Sequence, residues 1–168
     1  MAIKQDNFLT YYNQFKDKIF NYFLYRIGFD KPLAEDLTSE VFIKALKAFA
    51  SFDENQKFQS WIYAIAHNHL INHYARAGRA PVPLEDLEDF IPDTNDDQFE
   101  EKYEAEQVLQ VIDEMADSDR DILRFRFVDE LDYREIADIL CKEEGAIRTQ
   151  VSRSLEKLRQ KLKKNLEK

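Results

Sequence analysis

Residues 131–158 read LDYREIADILCKEEGAIRTQVSRSLEKL, which is the pattern of two helices joined by a tight turn. Asp132 can cap the first helix, and Glu135, three residues later, completes a capping box. Apolar residues then recur at helical spacing between Ile136 and Leu140. The segment therefore predicts a short helix that begins near Asp132.

The apolar run stops at residues 141–143, which can turn the chain, and a second helix is predicted from about Glu144. A short helix, a tight turn and a longer basic helix are typical of a helix-turn-helix, whose second helix enters the major groove of DNA. The apolar stripe of this second helix is expected at Ile147, Val151, Leu155, Leu158 and Leu162.

The opposite face of the second helix provides candidate DNA contacts. Arg148 can fork onto guanine or a phosphate, Gln150 can read adenine, and Thr149 can meet the methyl group of thymine. An ordinary helical hairpin with a solvated charged face fits the same pattern, and this segment alone leaves both interpretations open. The candidate residues on this face are Arg148, Thr149, Gln150, Ser152 and Arg153.

The composition favours an all-α fold, because only three of the 168 residues are glycine and four are proline. No apolar run reaches transmembrane length, and the chain is polar from Lys4 to Asn7. We therefore expect no membrane insertion and no signal peptide. Cys141 is the single cysteine, which excludes an internal disulfide and suits a reducing compartment, so a cytoplasmic protein is expected.

The net charge of −9 is distributed unevenly. Residues 1–80 and 119–168 each carry a net charge of +2, whereas residues 81–118 carry −13. The final stretch, residues 148–168, carries +6, a local basic surface of the kind that contacts phosphates. A solvated helix end with lysines near its C-terminal dipole is the alternative.

Two small helical domains joined by an acidic, proline-containing linker are predicted. The first domain covers residues 1–80, the linker residues 81–100, and the second domain, a four-helix helix-turn-helix domain, residues 101–168. The linker contains Pro81, Pro83 and Pro92 together with closely spaced acidic residues, which predicts an extended, self-repelling segment. Helices are predicted over residues 6–27, 31–50, 58–76 and 100–115, then over a helix capped by Asp117 or Ser118, and over the two helices of the helix-turn-helix.

Gly28 is predicted to end the first helix of the chain, and Asp30-Lys31-Pro32 to start the second, with Pro32 in its first turn. Its exposed face mixes acids, lysines and a serine, a composition that is usually solvated but can also dock a partner helix. The inward residues are predicted to be Leu33, Leu37, Val41, Phe42, Leu46 and Phe49, and the outward ones Asp36, Ser39, Glu40, Lys44 and Lys47.

One stripe of the third helix suits a single-stranded nucleic acid. At about 100° per residue, it lies nearly opposite the apolar stripe of Ile62, Ala66 and Leu70. An exposed aromatic ring can stack on bases, amides can bond to base edges, and arginines neutralise phosphates. The alternative is a Trp packed on a neighbouring helix and amides that are merely exposed. The stripe consists of Trp61, Asn68, Asn72, Arg76 and Arg79.

No catalytic, cofactor or metal site is predicted. The three glycines, at positions 28, 78 and 145, cannot form a phosphate-binding loop. His69 and His73 are four residues apart, but no carboxylate or thiol lies at ligand spacing, so hydrogen-bonded histidines are expected. The carboxylates lie in the linker or on charged helix faces, so an enzyme is not expected.

Three segments, in order along the chain, resemble the extracytoplasmic-function (ECF) sigma factors of the bacterial sigma-70 family. Residues 33–42, LAEDLTSEVF, look like the polymerase-binding helix of that family. Residues 58–68, FQSWIYAIAHN, look like its promoter-melting helix. Residues 119–123, 133–137 and 145–148 look like parts of its C-terminal promoter-reading domain. The resemblance covers nearly the whole chain except the linker.

The resemblance implies a transcription initiation factor that binds core RNA polymerase, directs it to promoter DNA and helps to melt the minus-ten element. It implies that Asp36, Ser39 and Glu40 dock on the clamp helices of the largest polymerase subunit. It also implies that Asn68 and Asn72 meet the unpaired non-template strand. An anti-sigma protein is an implied partner, and the linker is expected to thread toward the RNA exit path.

Other roles follow from the same resemblance. The loop from residue 51 to residue 57 is expected to hold a flipped base, with Trp61 wedging or supporting that site. Residues of the second helix of the helix-turn-helix are expected to read the minus-thirty-five element. The matching positions there are Arg148, Thr149, Gln150 and Arg153.

The chain departs from the family pattern at the helix-turn-helix. Cys141 stands where a glycine is usual, so a less tight turn is expected, and Glu143 replaces the usual hydroxyl cap. Glu144 adds an acid near the expected phosphate path, and Gln150 replaces a common basic residue. We therefore expect weak affinity of the free chain for DNA. A stand-alone helix-turn-helix regulator and a protein-interaction adaptor remain alternatives.

Overall fold

The computed structural model describes residues 2–78 and 99–167, with side chains from residue 7 and from residue 105 onward in the two ranges. All regular elements in these ranges are helical, which confirms the all-α prediction. Arg79 and nearly all of the predicted linker lie outside the described residues. The helices are α1 (Ala2–Leu24), α2 (Lys31–Ala48), α3 (Phe58–Ala77), α4 (Phe99–Asp113), α5 (Asp117–Leu123), α6 (Tyr133–Leu140) and α7 (Glu144–Leu166).

Two short segments extend these helices. A 3₁₀ turn, Phe49–Ser51, follows α2, and a π-helical segment, Arg124–Val128, follows α5. The chain divides into two compact units, with α1, α2 and α3 in the first and α4, α5 and α7 in the second. Across the described ranges, no helix is both long enough and apolar enough to cross a membrane.

The first unit is a three-helix core in which α1 packs on α2 and α3. Its interior is strongly aromatic, and Tyr22, Phe23 and Tyr63 are among its largest fully buried side chains. The prediction that Leu46 faces inward is wrong, because 53% of Leu46 is exposed. Ala45 is fully buried instead. The buried stripe of α2 therefore includes Ala45, a small side chain, in place of Leu46.

The end of α1 and the start of α2 both show capping contacts. Asp30 is the N-cap of α2, and its Oδ1 accepts a hydrogen bond from the backbone N–H of Leu33 at 3.1 Å. The predicted position of Pro32 in the first turn of this helix is confirmed. Gly28 has φ of +71°, and the N–H of Phe29 donates to Leu24 O at 3.0 Å. The predicted glycine cap is therefore confirmed, although α1 ends three residues earlier than expected.

The second unit buries apolar residues from α4, α5 and α7, including Ile112, Ile122 and Val151. Its helices are also joined by polar contacts, among them a buried ion pair between Arg124 and Asp113. The prediction that Asp117 or Ser118 caps α5 is wrong. The helix α5 begins at Asp117 with Ala116 in the N-cap position, and no side-chain capping bond is made there.

The predicted capping box of α6 is confirmed. The N–H of Glu135 donates to Asp132 Oδ1 at 2.8 Å, and the N–H of Asp132 donates to Glu135 Oε2 at 2.9 Å. The looser turn expected from Cys141 is wrong. Cys141 adopts φ of +52°, and the N–H of Lys142 donates to Ala137 O at 3.0 Å, as in a glycine-capped turn.

Candidate nucleic-acid interface

The polar stripe of α3 lies on the surface of the first unit. Asn68, Asn72 and Arg76 are exposed and follow one another at intervals of four residues. They therefore stand one above the other on a single helix face. Two amides and a guanidinium are thus available on one line, with Ile62 and Ala66 fully buried on another face of the same helix.

The prediction that Trp61 is exposed is wrong, because this side chain is partly buried. Its ring centroid lies 4.9 Å from that of Phe52, 5.4 Å from that of Phe58 and 6.3 Å from that of Phe49. Together, Phe49, Phe52, Phe58 and Trp61 form an aromatic cluster. Trp61 therefore packs against the other rings of the cluster, and the side chain is only partly accessible to a ligand.

The loop between α2 and α3 borders this aromatic cluster. Asp53 Oδ1 accepts hydrogen bonds from the backbone N–H of Asn55 at 3.0 Å and from Asn55 Nδ2 at 2.9 Å. Residues 53–57 are exposed, while Phe52 is partly buried. Short-range hydrogen bonds within the loop therefore shape it, and Phe52 connects it to the aromatic cluster.

The outer face of α7 carries the second set of predicted contacts. Thr149, Ser152 and Arg153 are exposed, and Arg148 is 59% exposed at its side chain. Gln150 is partly buried, and its Nε2 donates to Ser118 O at 3.3 Å. The structure therefore places four of the five residues on an open surface and holds the fifth against α5.

Arg148 has two partners that the sequence reasoning missed. Its Nε and Nη2 donate to Glu144 Oε1 at 3.1 and 2.5 Å, and its guanidinium carbon lies 4.5 Å from the centroid of the Tyr133 ring. The spacing of four residues between Glu144 and Arg148 is a sequence signal for such a pair. The Tyr133 contact joins α6 to α7 and has no comparable local signal.

Asp36, Ser39 and Glu40 are all exposed on α2, as predicted. Glu40 is not isolated there, because its Oε2 lies 2.7 Å from Nε2 of the buried His69. Lys44 Nζ lies 2.7 Å from Nδ1 of the same imidazole. Burial and the neighbouring Lys44 hold the pKa of His69 below its usual value, although Glu40 opposes this shift.

His67 also has a hydrogen-bonding partner. Nδ1 of His67 lies 3.3 Å from the hydroxyl of Tyr22. Among the described residues, no group of three His, Cys, Asp or Glu side chains is placed to hold a metal ion. The exposed groups described on α3 are amides and a guanidinium, and groups of these kinds can bind nucleic acid by hydrogen bonding and charge.

Comparisons with known proteins connect both surfaces to one family. Residues 12–80 match the model of Sigma-70 region 2, and residues 105–158 match that of Sigma-70, region 4. RNA polymerase sigma factor YlaC of Bacillus subtilis (strain 168) is 32% identical over 168 residues, covering 98% of this chain and 94% of the relative. ECF RNA polymerase sigma factor SigW of the same organism is 30% identical, with coverages of 95% and 90%.

Two solved structures share the fold. CnrH in complex with the cytosolic domain of CnrY superimposes with a TM-score of 0.66 at 17% identity, covering 95% of this chain and 89% of that one. The sigma factor RpoE in complex with the anti-sigma factor NepR from Bartonella quintana gives a TM-score of 0.63 at 18% identity, with coverages of 97% and 98%. The chain therefore belongs to the sigma-70 family of RNA polymerase sigma factors, and within it to the ECF sigma factors.

Proposed function

We propose that this chain docks on core RNA polymerase through α2, opens the minus-ten element with α3 and its preceding loop, and reads the minus-thirty-five element with α7. The observation that carries this assignment is the exposed line of Asn68, Asn72 and Arg76 beside the aromatic cluster. An unpaired strand can be bound by amides that hydrogen-bond to bases, aromatic rings that stack on them and a cation that neutralises phosphates.

The loop of residues 51–57 is the proposed pocket for a flipped base. Extruding a base costs a few kcal/mol, and the cost is offset only if new contacts form as the duplex opens. Phe52 and Trp61 are partly buried at its border, so they can stack on or support a base without a large rearrangement. Asn68 and Asn72 then bond to base edges of the same strand.

The outer face of α7 is the proposed reader of the minus-thirty-five element. Arg148 and Arg153 supply charge, and Thr149 and Ser152 supply hydroxyls on the same exposed side. Gln150 reads a base only if it leaves Ser118 O, so its contribution is expected to be smaller. Arg79, which belongs to the proposed minus-ten set, lies outside the described residues.

The proposed partners are core RNA polymerase, promoter DNA and an anti-sigma protein. Asp36, Ser39 and Glu40 present polar groups on α2 for the clamp helices of the largest subunit. The fold shared with RpoE, which is seen in complex with the anti-sigma factor NepR, supports an anti-sigma partner for this chain. We assign the chain to the cytoplasm, where the polymerase acts, and we assign it no catalytic step.

The first experiment is a pull-down of core polymerase by this chain, followed by run-off transcription with the reconstituted holoenzyme. Specific initiation supports the proposal. Binding without initiation would retain the α2 assignment and contradict those of α3 and α7. A chain that binds duplex DNA alone and ignores polymerase would favour the stand-alone regulator.

Two substitutions separate the DNA-reading surfaces. Asn68→Ala should impair open-complex formation while closed-complex binding persists, and Asn21→Ala, an exposed amide on α1, is its matched control. Arg148→Ala combined with Arg153→Ala should weaken closed-complex binding, and Arg159→Ala, farther along α7, is the control. Intact opening by Asn68→Ala would contradict the α3 assignment.

A further inference from the structure

His69 is a buried polar residue on α3 that the DNA-reading surface does not use. Only 8% of the residue is exposed, so it lies beneath the surface formed by α2. Its two ring nitrogens face two different side chains of that helix. Nε2 lies 2.7 Å from Glu40 Oε2, and Nδ1 lies 2.7 Å from Lys44 Nζ.

The partners fix the protonation of the imidazole. A lysine ammonium group has three donors and no acceptor, so Nδ1 must accept the bond from Lys44. The remaining proton is therefore on Nε2, which donates to the Glu40 carboxylate. The depressed pKa of His69 agrees with a neutral ring. The charged or titratable groups around it are Glu40 and Lys44 on α2 and His73 on α3.

This bridge immobilises the ends of two long side chains. Glu40 has 57% of its side chain exposed, and Lys44 is also exposed, so both can meet a partner. Without the imidazole, each would sample several rotamers and would have to be ordered upon binding. Side chains that are already ordered lower that cost, which is the general advantage of preorganisation.

We propose that His69 is a positioning residue for polymerase docking, because it holds Glu40 and Lys44 in fixed places on the exposed face of α2. The inference rests on the proposed docking role of α2 and adds Lys44 to the docking surface. The partner surface it fits has a cationic or hydrogen-bond-donating group opposite Glu40 and an acceptor or anion opposite Lys44.

The test compares His69→Leu with His69→Gln in equilibrium binding of the full chain to core polymerase. Loss of both bonds in His69→Leu should weaken binding by about five- to tenfold. The Gln amide offers a donor group for Glu40 and an acceptor oxygen for Lys44, so His69→Gln should restore most of the affinity. His73→Leu, a partly buried histidine one turn farther along α3, is the control and should bind like the unsubstituted chain.

A double-mutant cycle separates positioning from simple packing. In a Glu40→Met, Lys44→Met background, His69→Leu should cause little further loss, because neither hydrogen-bonding partner of the imidazole remains. An equal loss in both backgrounds would overturn the proposal and leave His69 a core residue. If His69→Leu does not fold, His69→Asn replaces it, since the shorter amide cannot reach both partners.

The outcomes also distinguish this inference from the proposed function. Unchanged polymerase affinity in His69→Leu and His69→Asn would overturn the positioning role alone, while the docking of α2 would remain. Failure of the unsubstituted chain to bind core polymerase would overturn both.

Discussion

The guanidinium carbon of Arg148 lies 4.5 Å from the centroid of the Tyr133 ring, which links the reading face of α7 to the first residue of α6. The same guanidinium also donates to Glu144 Oε1 through Nε and Nη2. Arg148 is therefore already oriented in the free chain, but two of its five donors are occupied by an acid. In the proposed role, a phosphate or guanine would have to displace Glu144 or bind through the remaining donors beside its negative charge.

Replacing Glu144 by Gln should therefore strengthen binding to a minus-thirty-five duplex. Freeing an exposed arginine from an i,i+4 partner and removing a negative charge near the phosphate path corresponds to about two- to fivefold in affinity. Fluorescence anisotropy with a labelled duplex, repeated over a salt series, measures this change. The gain should shrink as salt screens the charges.

The matched control is Glu143→Gln, which removes the same charge one residue earlier, where the side chain makes no capping bond. A smaller gain is expected there. Equal gains from the two variants would show that general charge, and not the release of Arg148, sets the affinity.

A second prediction concerns Asp119, which joins α5 to α7. Its Oδ1 accepts a bond from Ser154 Oγ at 2.6 Å, and its Oδ2 accepts one from Lys157 Nζ at 2.7 Å. Asp119→Asn should lower the free energy of unfolding by about 2 kcal/mol, because a buried, charge-assisted bond is lost. Urea denaturation at neutral pH measures it. Asp121→Asn, with only a 3.8 Å contact to Arg120, should cost less.

The same carboxylate gives a pH dependence. Hydrogen bonds from Lys157 and Ser154 hold the pKa of Asp119 below its usual value of 3.8. A depressed pKa contributes stability that is complete above 3.8 and is lost as the pH falls through the folded-state pKa. The stability difference between the unsubstituted chain and Asp119→Asn should therefore be constant near neutrality and shrink in acid. A difference that grows in acid would contradict this assignment.

Local chemistry explains which features the sequence predicts well. The capping box of Asp132 and Glu135 connects residues three apart, so it is visible in a short stretch. The helix-turn-helix and the α3 stripe are visible for the same reason. Their periodicity places Asn68 and Asn72 on one face without knowledge of any other helix.

Contacts between distant parts of the chain could not be predicted in this way. The bond between His69 and Glu40 spans 29 residues, and that between Asp119 and Lys157 spans 38. The predicted exposure of Trp61 was wrong because helical periodicity does not show contacts from outside the helix. Its helical position suggested exposure, but Phe52, which precedes α3, packs against it. Only the three-dimensional structure shows which polar side chains are buried and which aromatic rings pack against each other.

A third prediction tests the aromatic cluster. Trp61→Ala should lower the free energy of unfolding by about 2 kcal/mol, since ring contacts with Phe52 and Phe58 are lost from a partly buried site. Trp61→Phe should retain most of that stability. If Trp61 supports the base pocket by packing, Trp61→Phe should also retain open-complex formation. A Phe variant that is stable but unable to open promoters would indicate a direct contact of the indole with DNA.

The last prediction concerns the turn of the helix-turn-helix. Cys141 has φ of +52°, a region in which a side chain costs about 1 kcal/mol relative to glycine. Cys141→Gly should therefore raise the free energy of unfolding by about 0.5 kcal/mol, since part of the gain is offset by the greater freedom of glycine in the unfolded chain. Cys141→Ala keeps the Cβ atom and removes only the thiol, so it should give no gain. Urea denaturation of the three proteins under reducing conditions decides between these expectations, and equal stabilisation by Ala and Gly would mean that the exposed thiol, not the backbone, carries the cost.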